Sequence, residues 1–142
     1  MPIIPAKRIH ATRQRSAISS ALDEAKGPLS AEEVWKIARK TKPGLGLRTV
    51  FRNLQEQVDE MTLLRVVFPG QPPRYEKPSR QHHPHFVCLG CGAVFDLPGE
   101  TPDVRTLCTL PAGYKAVGGE VTLFGHCAGC RAGKSGGRRT RR

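Results

Sequence analysis

Four of the five cysteines fall into two pairs of one pattern, Cys88-Leu89-Gly90-Cys91 and Cys127-Ala128-Gly129-Cys130, with 35 residues between them. Two thiolates three positions apart on a tight turn converge on one side of a tetrahedral ion. A second such turn closes the shell, which is the chemistry of structural zinc. A redox pair of the thioredoxin kind requires a βαβ setting that is not legible here. A zinc deaminase requires His-x-Glu ahead of its cysteine pair, and no His-x-Glu occurs in the chain. With no nucleophile–base constellation either, the chain is not expected to be an enzyme. The fifth cysteine, Cys108, is expected on a helix as a small buried hydrophobe.

The second chemistry is cationic. The formal net charge is +11, which favours a polyanionic partner, usually nucleic acid. Six of those charges lie in the acid-free tail Arg131–Arg142, so the rest of the chain keeps +5. The tail alone reads as a solubilising end. More specific is the segment from Gly46 to Glu60, where Arg48, Thr49, Arg52 and Asn53 are expected to project from the first turns of a helix. Arginine forks onto guanine, asparagine onto adenine, and threonine meets thymine methyls or phosphate. Arg13 and Arg15 on the first helix, with Arg65 and Arg74 on a hairpin, add expected phosphate contacts.

These residues need elements to hold them. Thr12 is expected to cap a helix running to about Ala25, with Ile18, Ala21, Leu22 and Ala25 on one stripe of a 3.6 period. Ser30-Ala31-Glu32-Glu33 has the form of a capping box opening a second helix, with Val34, Ile37 and Ala38 inward and a stop before Pro43. Trp35 is expected to pack in the core. A third helix, Gly46–Glu60, carries Leu47, Val50, Leu54, Val58 and Met61 on its apolar side. Leu63–Phe68 and Arg74–Glu76 flank Pro69-Gly70-Gln71-Pro72-Pro73, a strand–turn–strand signal. Three helices followed by a hairpin outline a winged helix-turn-helix. Beyond a polar break near Pro78–Gln81 come short strands around Phe86–Val87, Val94–Leu97 and Glu120–Phe124, with a helix near Pro102–Leu110.

Several segments together resemble the ferric uptake regulator family: Thr12-Arg13-Gln14-Arg15, Ser30 to Trp35, Leu47 to Leu54, Tyr75-Glu76, His82 to Gly92, Val94-Phe95-Asp96 and Leu123 to Cys127. The resemblance implies an α+β chain with an N-terminal winged helix-turn-helix and a small C-terminal α/β dimerisation domain holding the four-cysteine zinc. The expected division is 1–78, 79–131 and a basic tail 132–142. It further implies a repressor that binds an inverted-repeat operator on double-stranded DNA as a homodimer. No segment approaches a membrane span and no secretory signal is legible, so a cytoplasmic protein is expected. Phe51 stands where tyrosine is usual in the family.

The resemblance also implies a sensory metal between the domains, with Glu76, His83, His85 and Asp96 as ligands. Two imidazoles and two carboxylates suit Fe²⁺, Mn²⁺ or Zn²⁺. Many members place a histidine where Pro28 stands, and proline has no side-chain donor. Four ligands, a water or His10 must then complete the shell; the alternative is a zinc-stapled DNA-binding regulator without a working sensor. A further family site corresponds to His82, Asp103 and His126, with Pro84 in place of its acidic ligand. Asp96 is the residue type of peroxide-sensing members, where iron-sensing ones often carry glutamate, which leaves an iron-dependent peroxide sensor as a further alternative.

Overall fold

The computed structural model describes residues 6–78 and 83–133. The expected tail from Lys134 onward and His82 lie outside them. The chain divides into two compact units, Met1–Ser79 and Arg80–Arg142.

In the first unit, α1 (Ala6–Asp23) is followed by β1 (Leu29–Ser30), α2 (Ala31–Thr41), α3 (Leu47–Asp59), β2 (Leu64–Val66) and β3 (Arg74–Glu76). Thr12 therefore lies inside α1 rather than capping it, and His10 belongs to the same helix. The capping box forms as expected: Ser30 Oγ accepts from Glu33 N–H, and Glu33 Oε2 accepts from Ser30 N–H at 2.8 Å. Two orphan N–H groups at the start of α2 are thereby satisfied, which is typically worth about 1 kcal/mol. The two-residue β1 had no sequence signal; it exists because Leu29 and Ser30 pair with Tyr75 and Arg74, giving an antiparallel sheet of order β1-β3-β2.

The core of this unit is one cluster. Ile18, Ala21 and Leu22 from α1 meet Val34 and Ala38 from α2, Val50 and Leu54 from α3, and Leu45, Leu63 and Tyr75. Each fully buried aliphatic side chain in it contributes about 1.5–3 kcal/mol. Met61 was expected on this face and is instead 84% exposed. Its φ of 58° ends α3 in a left-handed residue, and Thr62 and Leu63 both turn their N–H groups back to Gln57 O. The chain thus reverses into β2 at the cost of a non-glycine residue in that region.

The second unit contains β4 (His85–Cys88), β5 (Val94–Asp96), α4 (Val104–Leu107), β6 (Thr122–Gly125) and α5 (Ala128–Arg131). β4 is central, antiparallel to β5 and parallel to β6. The helix expected over Pro102–Leu110 shrinks to the single turn α4. Asp103 caps it by accepting from Arg105 N–H, and Cys108 is already extended. Cys108 is consequently exposed, not buried. The last strand begins two residues later than expected, because its limits are set by the parallel register with β4, from Thr122 beside His85 to Gly125 beside Cys88.

Candidate metal centres and nucleic-acid face

The β4–β5 hairpin carries chemistry at both ends. At its turn, Cys88 N–H donates to Ala93 O and Gly92 N–H returns to Cys88 O, with Gly92 at φ 73°. A left-handed residue is needed there for the chain to fold back within five residues, and glycine takes it without strain. This loop presents Cys88 and Cys91 together. The second pair, expected on a tight turn of the same kind, sits on a helical turn, with Cys127 as N-cap of α5 and Cys130 inside it.

The four sulfurs converge. Cys88 and Cys130 are 3.6 Å apart, Cys91 and Cys127 3.9 Å, and all four lie within 4.8 Å of one another. These distances are far beyond the ~2.05 Å of a disulfide. They match the roughly 3.8 Å between sulfurs of a tetrahedral zinc thiolate with bonds of about 2.3 Å. The donors therefore fit zinc. Burial pushes the Cys88 thiol up, but hydrogen bonds from the backbone N–H groups of Cys127, Cys91 and Gly90 outweigh it and bring it to about 6. One of them, from Cys127, is 3.3 Å long. Such N–H donors stabilise a thiolate before any ion arrives. Gly90 is required for a different reason: a Cβ there would stand 2.8 Å from Cys130 Sγ and 3.1 Å from Cys130 Cβ.

At the other end of the hairpin, the register places Asp96 directly opposite His85. His83, two residues upstream, turns its Nε2 to the same carboxylate. The Asp96 Oδ1 atom lies 2.9 Å from His83 Nε2 and 3.5 Å from His85 Nε2, and the two imidazoles meet edge to face at 4.6 Å. All three side chains are only 13–14% exposed. Neighbouring donors around a small divalent cation with bonds near 2.0–2.1 Å sit roughly 2.9–3.4 Å apart, so this trio fits an ion bound by nitrogen and oxygen. Glu76, the other expected ligand, ends β3 in the first unit. Pro28 is fully buried, and its carbonyl accepts from Arg74 Nη1 at 3.0 Å.

Of the further expected site, Asp103 is held by Arg105, whose side chain lies 2.7 Å away and draws the carboxyl below its usual range. His126 is exposed and adjoins the zinc knuckle, its Cδ2 within 3.5 Å of the Cβ position of Gly90. Among the described residues, Asp103 and His126 belong to neither metal-ligand cluster.

The expected DNA-reading residues separate by exposure. Arg48 and Arg52 are exposed on α3 and Thr49 is half-buried. Asn53 does not project with them: it is 7% exposed on the inward side of α3, near Gln57, because its position falls beside the Val50–Leu54 stripe. Arg13 is exposed. Arg15 instead forms a forked ion pair with Glu60 at the end of α3, which raises its own pKa and lowers that of Glu60. Of the hairpin arginines, Arg65 is exposed but Arg74 is 4% exposed, donating to Glu33 Oε2 at 2.7 Å as well as to Pro28 O. Arg74 is thus a strut inside the unit, and its expected phosphate contact is withdrawn.

The sequence pattern of the ferric uptake regulator family matches residues 6–116. The chain is 31% identical over 110 residues to the ferric uptake regulation protein of Yersinia pestis, covering 75% of this chain and 74% of that protein. It is 28% identical over 125 residues to the zinc uptake regulation protein of Mycobacterium tuberculosis, covering 87% and 96%. The crystal structure of the Vibrio cholerae ferric uptake regulator superposes with a TM-score of 0.62 at 26% identity, over 80% of this chain and 88% of that one.

Proposed function

We propose that this chain, which belongs to the ferric uptake regulator family, is a metal-gated transcriptional regulator that binds operator DNA as a homodimer and represses when its sensory metal is bound. The observation that carries the reading is that one hairpin meets two unlike donor sets at its two ends, the thiolate set being completed by α5. A thiolate cage suits structural zinc, while the imidazole–carboxylate trio suits an exchangeable Fe²⁺, Mn²⁺ or Zn²⁺. The cage ties the end of β4 and the hairpin turn to α5, and so steadies the strand that sets His85, three residues before Cys88, against Asp96.

Glu76 supplies the fourth sensory ligand in this reading. It closes β3, two residues before Pro78 and the segment joining the units, so ligation by Glu76 together with His83, His85 and Asp96 restricts how the DNA-reading unit is held. A restriction of that kind changes DNA affinity only as far as metal prefers the DNA-competent arrangement. Base reading falls to Arg48 and Arg52 on α3, with Thr49 beside them, and backbone contact to Arg13 and Arg65. Leu107, Leu110, Val117, Leu123 and Phe124 of the second unit are 40–96% exposed. This apolar surface is the face a second copy covers. Among the described residues no helix is long and apolar enough to cross a membrane.

The test is metal content per subunit after anaerobic loading with Fe²⁺, Mn²⁺ or Zn²⁺ and removal of excess, with DNA binding measured on the same samples. Two metals, falling to one in His85→Ala with loss of metal-dependent DNA binding, is the expected outcome. One metal, unchanged in that variant, would overturn the sensor and leave a zinc-stapled DNA binder. The buried, donorless Pro28 favours that second reading.

A further inference from the structure

From Val34 to Gln55 the chain contains six Lys and Arg residues and no Asp or Glu. That span is α2 after its first turn, the connecting turn, and α3 through Gln55. Lys36, Arg39 and Lys40 are exposed on α2, Lys42 is half-buried at its C-cap, and Arg48 and Arg52 follow on α3. Only Arg52 of the six has a carboxylate within 4 Å among the described residues, and that contact to Glu56 is 3.8 Å long between well-exposed side chains. This span of two consecutive helices and their turn thus carries six uncompensated formal charges, one more than the net +5 of the chain outside its tail.

The turn is also built to hold still. Trp35 Nε1–H donates to Leu45 O at 2.8 Å, which ties the middle of α2 to the residue before the N-cap of α3. Lys42 N–H returns to Ala38 O, and Leu45 N–H to Lys42 O, both at 3.0 Å. The Arg39 guanidinium lies over the Trp35 ring, 4.5 Å from its centroid. A cation stacked on an indole face keeps its outward N–H donors available while losing rotamer freedom beforehand. Cations gathered near the C-terminus of α2 also oppose the negative end of that helix, so they are favoured there without a carboxylate partner.

We propose that Arg39, Lys40 and Lys42 form a phosphate-gripping surface on the α2–α3 turn, which seats duplex DNA against the unit while Arg48 and Arg52 address the bases. The partner is the DNA backbone, so the contacts are independent of sequence. The inference rests on the DNA-binding reading above. Backbone grip and base reading predict different signatures. Each phosphate contact releases counterions and adds about 0.9 to the slope of log affinity against log salt, whereas a base contact changes discrimination between sequences.

The experiment is fluorescence anisotropy of the full-length, zinc-loaded protein with a mixed-sequence DNA duplex of about three helical turns, from about 50 to 200 mM salt. The variants are Lys40→Gln/Lys42→Gln and Arg39→Gln, all at side chains outside the core. Lys115→Gln in the second unit removes one like charge as a control. The double variant is expected to flatten the slope by about 1.8 per bound protomer and Arg39→Gln by about 0.9, with Lys115→Gln near wild type. A wild-type slope in the double variant overturns the surface, as does a change no larger than the control gives. If those slopes stay unchanged while Arg52→Ala still weakens binding, the gripping surface fails and the DNA-binding reading stands. If the wild-type protein does not bind duplex at the lowest salt, both fail together.

Discussion

At the scale of single residues, the zinc cage depends on what is missing as much as on the sulfurs. Gly90 lies between the ligands of the first pair, and a methyl group there would enter the space of Cys130 Sγ. Gly129, in the matching place of the second pair, has only ordinary contact, 3.9 Å from Cys127 Sγ. The two Cys-x-Gly-Cys motifs look alike in sequence, yet only the first glycine faces the opposite cysteine. Gly90→Ala is therefore expected to weaken zinc retention by roughly 10–100-fold, the usual effect of disturbing the surroundings of a metal ligand. Gly129→Ala should be close to neutral. Zinc release to a colorimetric chelator measures both, and equal release from the two variants would show that the contact at Gly90 relaxes freely. Cys88→Ser should lose the zinc outright, since Cys88 is the buried sulfur of the cage.

At the scale of elements, Arg74 joins three of them. Its guanidinium reaches Glu33 at the start of α2, Pro28 O before β1, and Gln71 in the hairpin turn. Glu33 Oε2 in turn accepts from the Ser30 backbone, so the cap of α2 and the strut share one carboxylate oxygen. Arg74→Met would strand the buried Pro28 carbonyl and leave Glu33 without its cation. The expected loss is about 2–4 kcal/mol, toward the lower end because Glu33 is 38% exposed. Arg65→Met, on the neighbouring strand but exposed, should change stability by less than about 0.5 kcal/mol. Urea unfolding separates the two. If Arg74→Met leaves the midpoint in place and instead flattens the salt dependence of DNA binding, the strut is refuted and a phosphate contact restored.

The same pair shows what the sequence could and could not reveal at this scale. The ends of α2 and α3 were legible because local rules fix them: a capping box at Ser30–Glu33, Pro43 beyond one helix and Gly46 ahead of the next. The start of α1 at Ala6 was not, since Thr12 offered a plausible cap that the longer helix simply runs through. Arg65 and Arg74 both sit on a basic hairpin, and composition gave no reason to separate them. The pairing of β3 with the unsignalled β1 brings Arg74 to Pro28 O and Glu33, and there it is buried. Asn53 lies at the margin of the apolar stripe of α3, where a few tens of degrees decide inside from outside, whereas Met61 falls past the last turn, where a left-handed backbone replaces the helical period that would have turned it inward. In the metal centres, the cysteine spacing was enough to pair the turns, whereas the approach of His83 and His85 to Asp96 depends on a hairpin register that spacing alone does not supply.

At the scale of the whole molecule, the two units are held together by different forces. The first buries a contiguous aliphatic core that runs from Ile18 to Tyr75 and contains no metal ligand among its members. In the second, the buried apolar side chains among the described residues are Pro84, Val87, Cys88 and Val94, while Leu89, Leu107, Leu110, Tyr114, Val117, Leu123 and Phe124 are exposed. So small a core cannot offset the conformational entropy of ordering such a unit. The balance falls to zinc, whose binding in small thiolate sites supplies about 10–16 kcal/mol of apparent folding free energy, and, in the homodimer proposed above, to apolar surface covered by a second copy. Stripping zinc with a strong chelator under reducing conditions should therefore open the second unit and dissociate the proposed dimer together, while the first unit keeps its helical fold. Limited proteolysis should then leave a fragment ending near Ser79, and readdition of zinc before proteolysis should restore protection. Chelated protein that stays dimeric and resists the protease would mean that packing alone holds the second unit. Loss of both units at once would mean that the first draws its stability from the second, contrary to the separate core it contains.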